Sequence, residues 1–413
     1  MFPIAVLACG SGSGSSFNTT SASNLDVNAL EETEDALSQM NDVSVLYALA
    51  KTHADLDAYL KLSSPGVGGP LLPKAIFDGM GGDMDPDEMY DNFRMTAFRI
   101  DPCSTNIGPV KDPSTCRNQL RLIFQSVTID HGAADSGVHL FYSLTRDELM
   151  HLLRSIINLR RSNGDHMISE ALTVHPLIRK QGLTGTFASG LNKLILKYAG
   201  ETNLVRFTVF TPQDQSDTSW VFGGIDLSAG VASPFPIPTL PDGGYSFPLP
   251  IATLFVGSFY QGTAGTGSQM AGQFDPVTTS TDDINLFANV ANAQSATATA
   301  RQAAYDAALR IENPNINSSN TIDCASCHLA QPLREFVAEP VFQFSSAGNK
   351  NAFVPDPKWI TEEDIEQSTH LKPGAIMNLH AFSYKGNSPM INRRVINETA
   401  AIVTYVNSTL LRR

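Results

Sequence analysis

Two cysteines and a histidine in the run Cys324-Ala325-Ser326-Cys327-His328 are the residues of this chain best suited to chemistry. Two thiols separated by two residues and followed at once by an imidazole form the Cys-x-x-Cys-His pattern of covalent haem attachment. The thiols can add across the vinyl groups at one porphyrin edge, and the adjoining imidazole then swings beneath the ring to bind iron. The chain has five cysteines and nine histidines, and chance gives the pattern on the order of once per thousand chains of such composition. The same spacing also serves redox dithiols and half of a zinc site. A redox pair usually opens a helix after a strand in a thioredoxin-like unit, which is not legible around Cys324. A zinc site needs a second ligand pair, and the other cysteines stand far upstream. The motif therefore predicts one covalently bound haem c on Cys324 and Cys327, with His328 as an iron ligand.

The remaining three cysteines fit an exported chain. Cys103 and Cys116 share a stretch rich in Pro, Ser, Thr and Asn. A disulfide between them would close a short loop, contribute roughly 3 kcal/mol by the loop-entropy model, and require an oxidising compartment such as the periplasm. Two free thiols are the alternative. Cys9 follows Val6-Leu7-Ala8 and precedes Gly10. A short apolar run ending this way resembles a bacterial lipobox, in which the cysteine is lipidated and the preceding peptide removed. The basic n-region and longer apolar run of a full signal peptide are missing, so residues 1–9 look like a partial signal. Residues 10–27 begin with Gly, Ser, Thr and Asn, the composition of a flexible tether. No stretch of about 18 apolar residues reads as a transmembrane helix. The expected location is the periplasm or cell envelope of a bacterium, with a lipid anchor on Cys9 holding the protein to a membrane.

The elements that must position the motif follow from hydrophobic spacing. Residues 29–40 and 43–62 read as helices. Residues 95–100, 120–129, 138–144, 204–211, 220–227 and 251–259 read as strands, rich in branched and aromatic residues. Thr145 and Glu148 form a capping box that starts a helix with an apolar stripe of Leu149, Leu152, Leu153, Ile156 and Ile157. A further helix is expected over 183–198. Strands and helices without regular alternation indicate an α+β domain over residues 28–290, whose role the sequence does not disclose. Its histidines, His131, His139, His151, His166 and His175, are scattered without metal-ligand spacing and read as structural. After a small, polar stretch ending near residue 299 the pattern becomes helical: 300–311, the haem motif, 361–367 and 398–411. The last helix carries a stripe of Val395, Thr399, Ile402, Val406 and Leu410.

Residues 295–413 resemble class I cytochrome c. The shared features are a helix before the haem motif, a late methionine in Ser388-Pro389-Met390, and a closing helix with Ala400-Ala401-Ile402-Val403-Thr404-Tyr405-Val406. The resemblance implies a mostly α-helical cytochrome c-like domain after the α+β domain, and Met390 as the sixth iron ligand. A long stretch before Cys324 and the lack of a matching glycine-rich loop after His328 depart from the family. His380, Met377 and His370 are the other candidates for the sixth position. Arg393 and Arg394 could pair with haem propionates, although a solvated basic pair is the simpler reading, and Trp359 suits either the haem edge or an ordinary core.

The net charge of −13 argues against nucleic acid as a partner, because phosphate binding needs clustered Lys and Arg. It is compatible with a basic redox partner. The expected function is an extracytoplasmic, membrane-tethered monohaem c-type cytochrome that acts in electron transfer. A single-haem, peroxidase-like enzyme with an open iron position is one alternative; a haem-containing envelope binding or assembly module is another.

Overall fold

The computed structural model describes residues 38–78, 90–103, 116–134, 136–165, 171–212, 219–228, 231–234, 255–260, 284–288, 290–318, 322, 324–359 and 380–411. In chain order the strands are β1 (Ser44–Leu46), β2 (Pro65–Gly66), β3 (Gly69–Pro70), β4 (Phe93–Asp101), β5 (Asn118–Thr128), β6 (Gly132–Ala133), β7 (Gly137–Leu144), β8 (Leu204–Pro212), β9 (Ser219–Ser228), β10 (Val231–Pro234), β11 (Phe255–Tyr260), β12 (Phe382–Lys385) and β13 (Ser388–Ile391). Nine of them form one antiparallel sheet in the order β1-β4-β5-β7-β8-β9-β10, with β6 added to β5 and β11 to β9. The strands expected from β-branched and aromatic runs are those observed from β4 to β9, within a few residues at each end.

Successive side chains of a strand point to opposite faces, and here both faces are covered. One face, with Leu120, Leu122, Val138, Leu140 and Tyr142, packs under the helices Arg146–Ser162 and Thr186–Tyr198. The first helix starts as its sequence dictates: Thr145 Oγ1 accepts from Glu148 N at 3.2 Å and Glu148 Oε2 accepts from Thr145 N at 2.7 Å. Leu149, Leu152, Leu153, Ile156 and Ile157 are all buried. Arg160 on the same helix meets Asp42 at 3.1 Å with both side chains fully buried, which pins the segment before β1 to this layer.

The opposite face is covered by the C-terminal third of the chain. The β12–β13 hairpin docks through Gln125: its Nε2 donates to Tyr384 O at 2.8 Å, and its Oε1 accepts from Tyr384 N at 2.9 Å. Gly386, at the hairpin turn, exchanges backbone hydrogen bonds with Ala133 of β6 at 2.9 and 3.1 Å. Gly132 is required there, because a Cβ on it would lie 2.4 Å from Gly386 O and its φ is +72°. The closing helix, Arg393–Tyr405, continues as one turn of π-helix, Val406–Leu410. It buries Val395, Thr399, Ile402, Val406 and Leu410 as its spacing predicts. Ser44 Oγ of β1 and Thr399 Oγ1 share a hydrogen bond of 2.7 Å. Asn407 exchanges two hydrogen bonds with the backbone of Ser38, at 2.9 and 2.8 Å.

The expected fold class, an α+β domain followed by a mostly α-helical cytochrome c-like domain, is therefore corrected. The dominant feature is the large antiparallel sheet, and no cytochrome-like fold is identified among the described C-terminal residues. Phe382, Tyr384, Ile391, Val395, Ile396, Ile402 and Val406 belong to one continuous core with Met40, Phe98, Leu122 and Leu140. The physical reason is area: a sheet with apolar side chains on both faces needs a second cover, and the hairpin and closing helix provide it. Residues 43–62 also differ from the expected helix. They hold strand β1 and a short helix, His53–Ala58, because Ser44, Val45 and Leu46 pair with Arg99, Phe98 and Ala97 of β4.

Ile396 is fully buried in the shared core, so Ile396→Ala is expected to cost about 2–5 kcal/mol in a urea titration. Far-UV circular dichroism and tryptophan fluorescence should then follow one coincident transition; two separable transitions would contradict the shared core.

Candidate functional site

The motif helix, Cys324–Leu333, begins at the first cysteine of the Cys-x-x-Cys-His run. Residues three and four apart share a helix face, so Cys324, Cys327 and His328 lie along one side of its first turns. The other side is fixed by Leu329, Ala330 and Leu333, which pack with Ala304, Ala308 and Ile311 of the preceding helix, Ala298–Glu312. Arg334, just past the motif helix, meets Glu312 of that preceding helix at 3.0 Å. Arg393 N, at the start of the closing helix, donates to Gln331 Oε1. The motif helix is thus held by the helix before it and by the closing helix.

Cys327 and His328 open onto a cavity enclosed by the sheet, the β12–β13 hairpin and the closing helix. The enclosed volume is about 80 Å³, below the roughly 300–1,000 Å³ of pockets that hold a drug-sized ligand, so a large ring could enter only with the walls moved apart. The sheet wall is built by alternation. Arg99, Arg121, Phe141 and Arg206 stand side by side in one cross-strand row, and Ile123, His139 and Thr208 in the next. All seven line the cavity. Phe141 lies between two guanidinium groups, with Arg121 at 4.7 Å and Arg206 at 5.9 Å from its ring centre. Phe382 of the hairpin and Val395 of the closing helix add apolar walls, and Arg394 and Glu398 complete the rim.

The charges are paired. Glu398 meets Arg99 at 3.0 Å and Arg394 at 2.5 Å; Asp101 meets Arg121 at 2.9 Å; Asp226 meets Arg206 at 2.5 Å. Among these pairs, four guanidinium groups share three carboxylates. Arg121 Nε is buried without a hydrogen-bond partner. Burial alone would raise the Glu398 carboxyl, but Arg394, Arg99 and Arg121 outweigh it and hold the group at about 2. Burial lowers the proton affinity of His139 well below the usual imidazole range, and Arg121, His328, Arg99 and His380 lower it further. A neutral imidazole, able to accept a hydrogen bond or ligate a metal, faces the cavity.

The residues expected from sequence are distributed as follows. Phe210 of β8 has the His328 ring 5.5 Å away and the His380 ring 5.0 Å away. Its own ring fits over Gly137, where a Cβ would come within 2.5 Å of it. His380 Nδ1 shares a hydrogen bond of 2.8 Å with Ser383 Oγ. Met390 is buried and pairs across the hairpin with Ser383. It therefore sits on the hairpin face opposite Phe382, the residue that lines the cavity. Met377 and His370 lie outside the described residues, as do Cys9, the partial signal and the tether. Cys103 and Cys116 form a disulfide, with Cα atoms 5.3 Å apart. Arg394 is no solvated residue: it donates to Ile311 O, and to Asn317 O at 2.7 Å, and pairs with Glu398. Trp359 is an ordinary core residue among the shared apolar set.

Sequence reasoning missed the sheet wall. His139 was grouped with scattered structural histidines, and Arg99, Arg121 and Arg206 drew no attention. The available signal was a charged or titratable residue at alternating positions inside strands otherwise apolar on both faces. Such residues must either meet partners or line a cavity.

The donor chemistry suits a haem c: Cys327 and His328 line the cavity, apolar and aromatic side chains wall it, and guanidinium groups with an orphan Arg121 Nε suit carboxylates. Among the described residues, no cluster of three or more His, Cys, Asp or Glu is arranged to hold a bare metal ion.

The folded value of Glu398 lies below its ordinary 4.5, so its ionised form stabilises the fold above about pH 4.5 and that contribution fades as pH falls toward 2. Glu398→Gln is expected to be less stable than wild type at neutral pH, with the gap closing over that window in acid titrations followed by circular dichroism. An unchanged gap would remove Glu398 from the account. No family model, no curated protein and no solved structure matches this chain.

Proposed function

We propose that the chain is a monohaem c-type cytochrome acting in electron transfer, with its haem anchored on Cys324 and Cys327 and seated between the motif helix and the sheet. The observation that carries the reading is the coincidence of the Cys-x-x-Cys-His face with a cavity rich in arginine and aromatic side chains. A haem held there supplies reversible one-electron exchange at iron. The chain's own residues do the rest. Cys324 and Cys327 would hold the group covalently, and His328 would bind its iron. Arg99, Arg121, Arg206 and Arg394 supply charge-assisted donors for two propionates. Ile123, Phe141, Phe382 and Val395 exclude water from the ring faces. His380 and Met390, expected from the sequence to bind iron, are not among the residues that line the cavity.

The Cys103–Cys116 disulfide supports an extracytoplasmic location, where such bonds persist. Lipidation of Cys9 would tether the protein to a membrane. No helix among the described residues is long and apolar enough to cross one. The net charge of −13 favours a basic redox partner, which surface charge would steer on encounter.

Full-length protein expressed with a c-type maturation system is expected to give a c-type pyridine haemochrome and to retain its haem after acid-acetone extraction. Cys327→Ser should leave a single thioether and shift the haemochrome, and the double variant Cys324→Ser/Cys327→Ser should carry no covalent haem. Wild-type protein that matures without haem would sink the reading.

A further inference from the structure

We propose that His139, projecting from the sheet, is the second axial ligand of this haem, so that the N-terminal sheet and the C-terminal segment complete the iron site together. The inference rests on the haem reading above and goes beyond it by giving the sheet a chemical role.

The placement follows from strand register. His139 shares its cross-strand row with Ile123 and Thr208, and all three face the cavity that Cys327 and His328 also line. The adjacent same-face row holds Gly137 and Phe210. Same-face neighbours along a strand are about 7 Å apart. Phe210 is the ring that meets His328, at 5.5 Å. His139 therefore stands one step along the sheet from the His328 contact, on a different wall of the same void. The two imidazoles come from different layers, as two ligands on opposite faces of one ring must.

The rival groups are otherwise engaged. His380 is fastened through Nδ1 to Ser383 and packs edge-on against Phe210. It does not line the cavity, although its neighbours Ala381 and Phe382 do. Met390 lies on Ser383's side of the hairpin, away from Phe382. His139 makes no hydrogen bond to any described residue. Its half-buried ring is part of the cavity wall, and a neutral imidazole is the form that binds a metal.

The test uses full-length, haem-loaded protein and ferric optical and electron paramagnetic resonance spectra. Wild type is expected to be six-coordinate and low-spin, without the weak far-red band of thioether ligation. His139→Ala should turn high-spin and regain the low-spin spectrum with added imidazole. His139→Met, which keeps a ligand at that position, should stay low-spin, gain the far-red band and shift the midpoint potential upward. His380→Ala and Met390→Ala should retain the wild-type spectrum. A low-spin spectrum unchanged in both His139 variants, or a wild-type far-red band lost in Met390→Ala, overturns the assignment while leaving covalent haem intact. A high-spin wild type overturns it as well. Wild-type protein without a haemochrome overturns the underlying reading, and this inference with it.

Discussion

Glu398 is the residue on which the meeting of the two layers depends. It takes one guanidinium from the sheet, Arg99, and one from its own helix, Arg394. Arg99 is buried, and burial alone would cost it its proton affinity; Glu398 and Asp101 reverse the shift. Neither layer can keep its charge in the interior without the other. A buried ion pair contributes little net stability by itself, because desolvation offsets attraction. Breaking one is expensive, however, and this asymmetry fixes how the closing helix is placed on the sheet. Arg394 adds directionality by reaching the carbonyls of Ile311 and Asn317, so the segment leading to the haem motif is positioned by the same cluster.

The cavity is the remainder of that arrangement. Hydrogen bonds on either side tie the layers together, through the hairpin at one end and the Ser44–Thr399 pair at the other. Between them the cross-strand row of arginines keeps the layers from collapsing onto each other. Among the described residues Arg121 keeps a buried Nε donor without a hydrogen-bond partner. An unsatisfied buried donor usually marks a ligand position or an ordered water.

Legibility from the sequence divided along physical lines. Local patterns were readable: the Thr145–Glu148 box, the five-residue stripe after it, the stripe from Val395 to Leu410, and the branched runs of β4, β5, β7, β8 and β9. Each is set by neighbours within a turn or a strand. The fold class was not, because what decides it is pairing between residues far apart in the chain. Gln125 reaches Tyr384 and Ser44 reaches Thr399, and no periodicity announces either. Residues 43–62 have helical spacing, yet β1 forms there because an edge of β4 is available; tertiary pairing overrides a weak local preference. At the site, the Cys-x-x-Cys-His run was legible because its chemistry is compressed into five residues. His139, Arg99, Arg121 and Arg206 come from four strands, and only the register shows that they face one space.

The reciprocal hydrogen bonds between Ser38 and Asn407 carry a consequence for the order of assembly. A chain emerging from its N-terminus builds the sheet first, while the partner of Ser38 and the cover for one sheet face come last. That face must stay open until nearly the whole chain is available, and contacts at such separation are slow to form. The delay leaves an interval in which the cavity is an open groove, before the closing helix seals it.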